Sequence, residues 1–244
     1  MRLGATRATL RRMQIFLIVF MIALALTMWG RRRFVKIYGQ ESANLISSGI
    51  TGARLAEGIL RFRGIEGVSV VKGRGIFGDF YFPENKQISL SPVHFSSCTF
   101  SALAMAAQQA GKAIQHYEGH RPLLWRVSVI RWTVYLSLPL FLIGLLCLAL
   151  GLTKTIFPLV LLAWSAIAYW NVLTIPTELD AGSRVKAEME KMRVFKNLDE
   201  RVGVERVIGA ASTAYIDGLS ILGTWGARTF LSPETKTTPG TDLR

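Results

Sequence analysis

Residues 106–116 read Ala-Ala-Gln-Gln-Ala-Gly-Lys-Ala-Ile-Gln-His. They lie inside an alanine-rich stretch, Phe100–Tyr117, whose composition predicts a helix. The helix is too short and too polar to cross a bilayer. His120-Arg121-Pro122 stops it. Gln108 and Lys112 stand at i and i+4, about 40° apart on one helical face, with Gln109 beside them. The reading of this helix, and of the apolar runs on either side of it, decides the fold.

Working outward, three runs carry no charge: Met13–Gly30, Trp132–Leu152 and Thr155–Pro176. At the α-helical rise they reach roughly 27, 31 and 33 Å, enough for a bilayer core of about 30 Å. They predict three transmembrane helices at 13–30, 132–152 and 155–176. Trp132, Tyr135, Trp164, Tyr169 and Trp170 stand near the ends, as interfacial aromatics do. The first run follows Arg2, Arg7, Arg11 and Arg12, but Trp-Gly-Arg-Arg-Arg comes after it in place of a small-x-small cleavage site. It reads as an uncleaved anchor preceded by a basic tail, 1–12.

The chain of 244 residues is 50% hydrophobic and carries a formal charge of +13. It reconciles the two by segregation, with charges placed between the apolar runs. Gly151–Lys154 joins the second and third runs as a hairpin, so 31–131 and 177–244 share one side of a membrane. Near the spans that side carries the larger share of arginine and lysine. The positive-inside rule places the polar regions in the cytoplasm. The basic flanks suit anionic lipid. No nucleic-acid motif is present, so nucleic acid is not an expected partner. Cys98 and Cys147 are the only cysteines, without CxxC spacing, and a disulfide between them is not expected.

Between the runs, Glu41–Phe62 reads as an amphipathic helix ended by Gly64. Residues 67–91 alternate apolar and polar around Pro83-Glu84-Asn85-Lys86, which predicts a small β-hairpin. A charged helix is expected from about Ser183 to Phe195, and an apolar-faced one over Val204–Thr229. Asp217 and several glycines argue against a fourth span there. The C-terminal helical region, 177–230, gives way to a polar tail, 231–244, expected to be disordered. The fold class is a mainly α integral membrane protein with three transmembrane helices, a small hairpin and one distinctive helix. The 31–131 region holds both the hairpin and that helix.

The distinctive helix has a chemical template. In His-Glu-x-x-His, two histidines at i and i+4 reach one zinc ion, and the glutamate is general base for the zinc-bound water. The chain resembles the neutral zinc metallopeptidases of bacterial membranes (YugP-type) over roughly residues 49–225. The resemblance rests on Gly52-Ala53-Arg54, the segment 75–83, Ser89-Leu90-Ser91, the helix 106–116, and Arg121-Pro122-Leu123. Thr174–Ala181 and Ala210–Tyr215 complete it. It implies a degenerate zincin helix. The two family histidines become Gln108 and Lys112, the glutamate becomes Gln109, and Glu178 stands where the resemblance places a third zinc ligand. Phe80 and Phe82 also replace family His and Asp, and Gly182 replaces Ser, while Asp79, Tyr81, Pro83 and Gly111 match.

Those replacements carry a chemical consequence. A glutamine amide is a poor zinc ligand, protonated lysine has no lone pair, and Gln109 cannot take a proton. No catalytic residue and no cofactor are therefore expected, although the family implies zinc. Lys112 is expected to pair with Glu178 in place of the metal. His116 and His120 form a second i, i+4 pair, but Glu118 between them points about 200° away from the first histidine. The expected function is that of a catalytically inactive membrane zinc-peptidase homologue, a pseudopeptidase that binds membrane proteins. The alternative is an active membrane zinc metallopeptidase with a shifted metal site at His116 and His120. His94 is expected to be a polar loop residue.

Overall fold

The computed structural model describes residues 2–73, 79–125 and 175–214, with short pieces between 139 and 163. Six helices and one sheet are named within them: α1 Arg2–Glu41, α2 Gly52–Phe62, α3 Pro92–Ser96, α4 Phe100–Tyr117, α5 Ile175–Lys191 and α6 Leu198–Ala214. The strands are β1 Ser69–Lys72, β2 Phe80–Phe82 and β3 Gln87–Leu90.

Helix α4 is the axis of the fold. It is buried on nearly all sides, its alanines and its polar Ser101, Gln108, Gln109 and Gln115 alike. Helices α1, α2, α3, α5 and α6 and strands β2 and β3 all pack on it. Thr99 caps its start, accepting the Ala102 N–H at 3.3 Å. Its end is a Schellman turn: Gly119 has φ +70°, Gly119 N–H donates to His116 O, and His120 N–H donates to Gln115 O. Helix α2 is capped by Thr51 and buries Leu55, Ala56, Ile59 and Leu60 against α4. Helix α5 turns Ala181, Val185 and Met189 inward at helical spacing, and α6 does the same with Val204, Val207, Ile208 and Ala211.

The sheet order is β1-β3-β2. Strands β2 and β3 form the expected hairpin, with Tyr81 opposite Ile88 and a turn at Pro83–Lys86. Val70 does not belong to that hairpin. Strand β1 lies on the other side of β3 and runs parallel to it, Val70 beside Ile88. Ile88, Leu90 and Tyr81 point into the core from alternate positions.

Several expectations are corrected. Among the described residues, no helix is long and apolar enough to cross a membrane, against three expected transmembrane helices. Freedom from charge alone does not make a span. The run 13–30 is the middle of a forty-residue helix that begins in an arginine-rich tail and continues through Arg31-Arg32-Arg33. Most of 132–152 and of 155–176 lies outside the described residues. The helix expected over Glu41–Phe62 is two elements, because α1 ends at Glu41 and 42–51 form an irregular link. That link is held by Ile46 N–H on Cys98 O and by Ser47 on Glu200. Helix α5 starts at Ile175, well before Ser183, and α6 is described from Leu198 to Ala214. The polar tail 231–244 lies outside the described residues. Cys98 and Cys147 are free thiols.

Candidate functional site

Two glycines set the geometry. A Cβ on Gly111 would press into the carbonyl of Ala181, and one on Gly182 would meet Ile208 Cγ2 at 2.9 Å and Gln108 Oε1 at 3.3 Å. Helices α4, α5 and α6 therefore approach closely at this level. Glu178, one turn before Ala181 and Gly182, is carried against the α4 face that presents Gln108 and Lys112.

The side chains meet there. Gln108 Nε2 donates to Glu178 Oε2 and to Glu178 O, both at 3.0 Å. Lys112 Nζ lies 3.1 Å from Glu178 Oε1. Ser212 Oγ accepts from Gln108 at 3.4 Å and donates to Ile208 O at 2.9 Å, which brings α6 into the set. Glu178 is 1% exposed, Gln108 and Gln109 0%. An ionised carboxylate at that depth needs a cation and hydrogen-bond donors, and it has both. Gln109 differs: neither its Nε2 nor its Oε1 has a hydrogen-bond partner among the described residues.

The two histidines of the second i, i+4 pair go to different partners. His116 Nδ1 lies 2.7 Å from the hydroxyl of Tyr81, on β2. Burial pushes the Tyr81 phenol up to about 12. His120 follows the Schellman glycine, outside the helix, and its Nε2 is 3.9 Å from Asp180 Oδ2 on α5. Asp180 is held below the usual carboxylate range. Its partial burial acts upward, but hydrogen bonds from Arg184 and Gln115 outweigh it. Around this point Glu118 bridges Arg63 and Arg184, tying α2 and α5 to the end of α4.

One cluster escaped the sequence reading. His94 is a buried residue of α3, not a polar loop residue: its Nδ1 is 2.5 Å from Asp79 Oδ2 and its Nε2 is 2.6 Å from Tyr38 OH. Asp79 also accepts the Ser91 N–H at 2.8 Å. This chain joins α1, the sheet and α3. The partners are 56 and 15 residues from His94, so no local spacing signals them.

Comparison with known proteins bears on the same residues. The family described as "Putative neutral zinc metallopeptidase" matches residues 15–221. The chain belongs to this family. It is 30% identical over 205 residues, 83% of its own length and 89% of the relative's, to a protein of Bacillus subtilis (strain 168) named "Putative membrane protease YugP". No solved structure matches the chain.

Family membership implies zinc, and the side chains at the place where the resemblance puts its ligands do not suit it. Lys112 and Gln108 already engage the two Glu178 oxygens. Gln108 turns its amide nitrogen, not its oxygen, toward the carboxylate. An ammonium offers a dication repulsion and no lone pair. Among the described residues, no group of three or more His, Cys, Asp or Glu side chains is placed to hold a metal ion.

Proposed function

We propose that this family member is a non-catalytic zinc-peptidase homologue that works by binding other proteins at a membrane. One observation carries the reading. The positions corresponding to two metal ligands and the base are a buried amide bonded to Glu178, an ammonium paired with Glu178, and a second amide that cannot act as a base. Hydrolysis through these residues has neither an activated water nor a proton acceptor. The shifted site has less support, because His116 and His120 turn to Tyr81 and Asp180.

The membrane setting rests on the relative's name and on the exposed apolar residues of α1, among them Ile18, Met21, Ile22 and Leu26. The partner half of the reading rests on the kept scaffold. The test is zinc content of the purified chain after dialysis, together with peptide hydrolysis with and without chelator. Substoichiometric zinc and no chelator-sensitive hydrolysis are expected. One zinc per chain with chelator-sensitive cleavage would overturn the non-catalytic reading. Crosslinking in native membranes should capture a reproducible membrane protein, and its absence would overturn the binding reading alone.

A further inference from the structure

We propose that the Lys112 ammonium is the resident cation of this site, a covalently tethered charge that holds Glu178 ionised and clamps α4 to α5 and α6 with no metal. The inference stands apart from what the protein binds. It concerns how a buried carboxylate is kept in the core, and it holds or fails on the geometry of three helices.

Glu178 is 1% exposed, and a carboxylate at that depth is strongly unfavourable unless a cation and donors accompany it. The Gln108 amide supplies donors to Oε2 and to the main-chain oxygen, but no charge. Lys112 Nζ, 3.1 Å from Oε1, supplies the full positive charge. The lysine side chain is 12% exposed, so its charged end reaches the site from the rim. A divalent ion would have to displace this ammonium and then find, among the described residues, a single carboxylate among amides. The site is thus closed to metals by the same residue that satisfies the carboxylate. Shortening Lys112 to alanine removes the tethered charge and opens, from the solvent side, a space shaped for a primary alkylammonium.

Chemical rescue of Lys112→Ala tests this, with thermal unfolding of the full-length purified chain as the readout. Loss of one partner of a buried pair lowers the midpoint by on the order of 10 °C in a chain of this size. Ethylammonium chloride should recover much of that loss in Lys112→Ala. Equal tetramethylammonium or sodium chloride should not, and Lys112→Ala/Glu178→Gln should show no recovery. Zinc and chelator should leave the unaltered chain's midpoint in place. Recovery that is the same for all salts, or that survives the loss of the carboxylate, overturns the proposal. So does a Lys112→Ala chain as stable as the unaltered one, or a zinc-dependent rise of the unaltered chain. If Lys112→Ala does not fold, the double variant decides: a folded double variant supports the tethered cation, an unfolded one overturns it.

Discussion

The close crossing of α4 and α5 gives the sharpest prediction, because two chemically identical substitutions should have opposite signs. Gly111→Ala adds a methyl where the Ala181 carbonyl carbon lies 3.0 Å and Val185 Cβ 3.4 Å away, with the carbonyl oxygen closer still. Both neighbours belong to α5, which α6 also packs against, and the nearest atoms are backbone, so backbone must move to admit it. The intrinsic gain of alanine over glycine inside a helix is about 1 kcal/mol. Overpacking against a fixed neighbour costs about 1–3 kcal/mol and more where the obstacle is backbone. The net is a destabilisation of about 1–2 kcal/mol, or a midpoint about 2–8 °C lower at this chain length. Gly58→Ala is the control. It lies inside α2, and its added methyl meets only Met192 Cε, at 3.4 Å, the end of a flexible side chain. There the helix gain stands, and stability should rise by about 0.5–1 kcal/mol. Thermal unfolding followed by far-ultraviolet circular dichroism measures both. If Gly111→Ala stabilises as Gly58→Ala does, the crossing is looser than described, and the contacts of Glu178 with α4 lose their geometric basis.

Other predictions follow from the same contacts. Gln109→Met replaces a fully buried amide, without a partner at either atom among the described residues, by an apolar chain of similar length; stability should rise by about 1–2 kcal/mol in denaturant titration. A comparable loss would show that the amide is satisfied after all. The triple variant Gln108→His, Gln109→Glu, Lys112→His should retain zinc after dialysis and gain about 2.7 kcal/mol at a free zinc concentration of about 100 times the dissociation constant. A folded variant that retains none would show that Glu178 is not placed as a ligand. Glu200 is buried, which acts to raise its pKa, but hydrogen bonds from Ser47 and the Lys196 N–H outweigh burial and hold it below its ordinary 4.5. Its stabilising contribution is therefore complete above that value and is lost as the pH falls through the lower native one. Glu200→Gln should remove that part of the acid dependence, and an unchanged acid limb would refute the assignment.

What the sequence made legible follows from the range of each interaction. Helix α4 was bounded correctly at Phe100–Tyr117 because its signals are local: an alanine-rich run, a threonine cap, and a stop of glycine and proline. The hairpin was legible through the turn at Pro83–Lys86 and alternation on both sides of it. The parallel partner β1 was not, since its register is set across the chain between 73 and 86 and nothing local encodes it. Glu41–Phe62 has helical periodicity at both ends, yet 42–51 is drawn out of the helix by tertiary bonds to Cys98 O and Glu200. The apolar runs made charge easy to read, but the three-span reading taken from them did not survive, since no helix among the described residues is long and apolar enough to cross a membrane. Family motifs led to Gln108, Lys112 and Glu178. Asp79 belongs to a family motif too, but its chain to His94 and Tyr38 left no trace, because those two belong to none and no local spacing joins the three.

The crossing of the three helices does not depend on what occupies the site. The packing of α4, α5 and α6 is set by Gly111, Ala181, Gly182 and Ala211, none of which carries chemistry. Their small size fixes the helix separation whether or not anything occupies the site. What the separation does impose is a buried Glu178, and a carboxylate so placed needs compensation. Gln108 and Lys112 provide it from two α4 positions one helical turn apart. A substitution on α4 that left this carboxylate unpaired would strain the core, so charge balance at these positions is a condition of the fold, whatever the protein does with it.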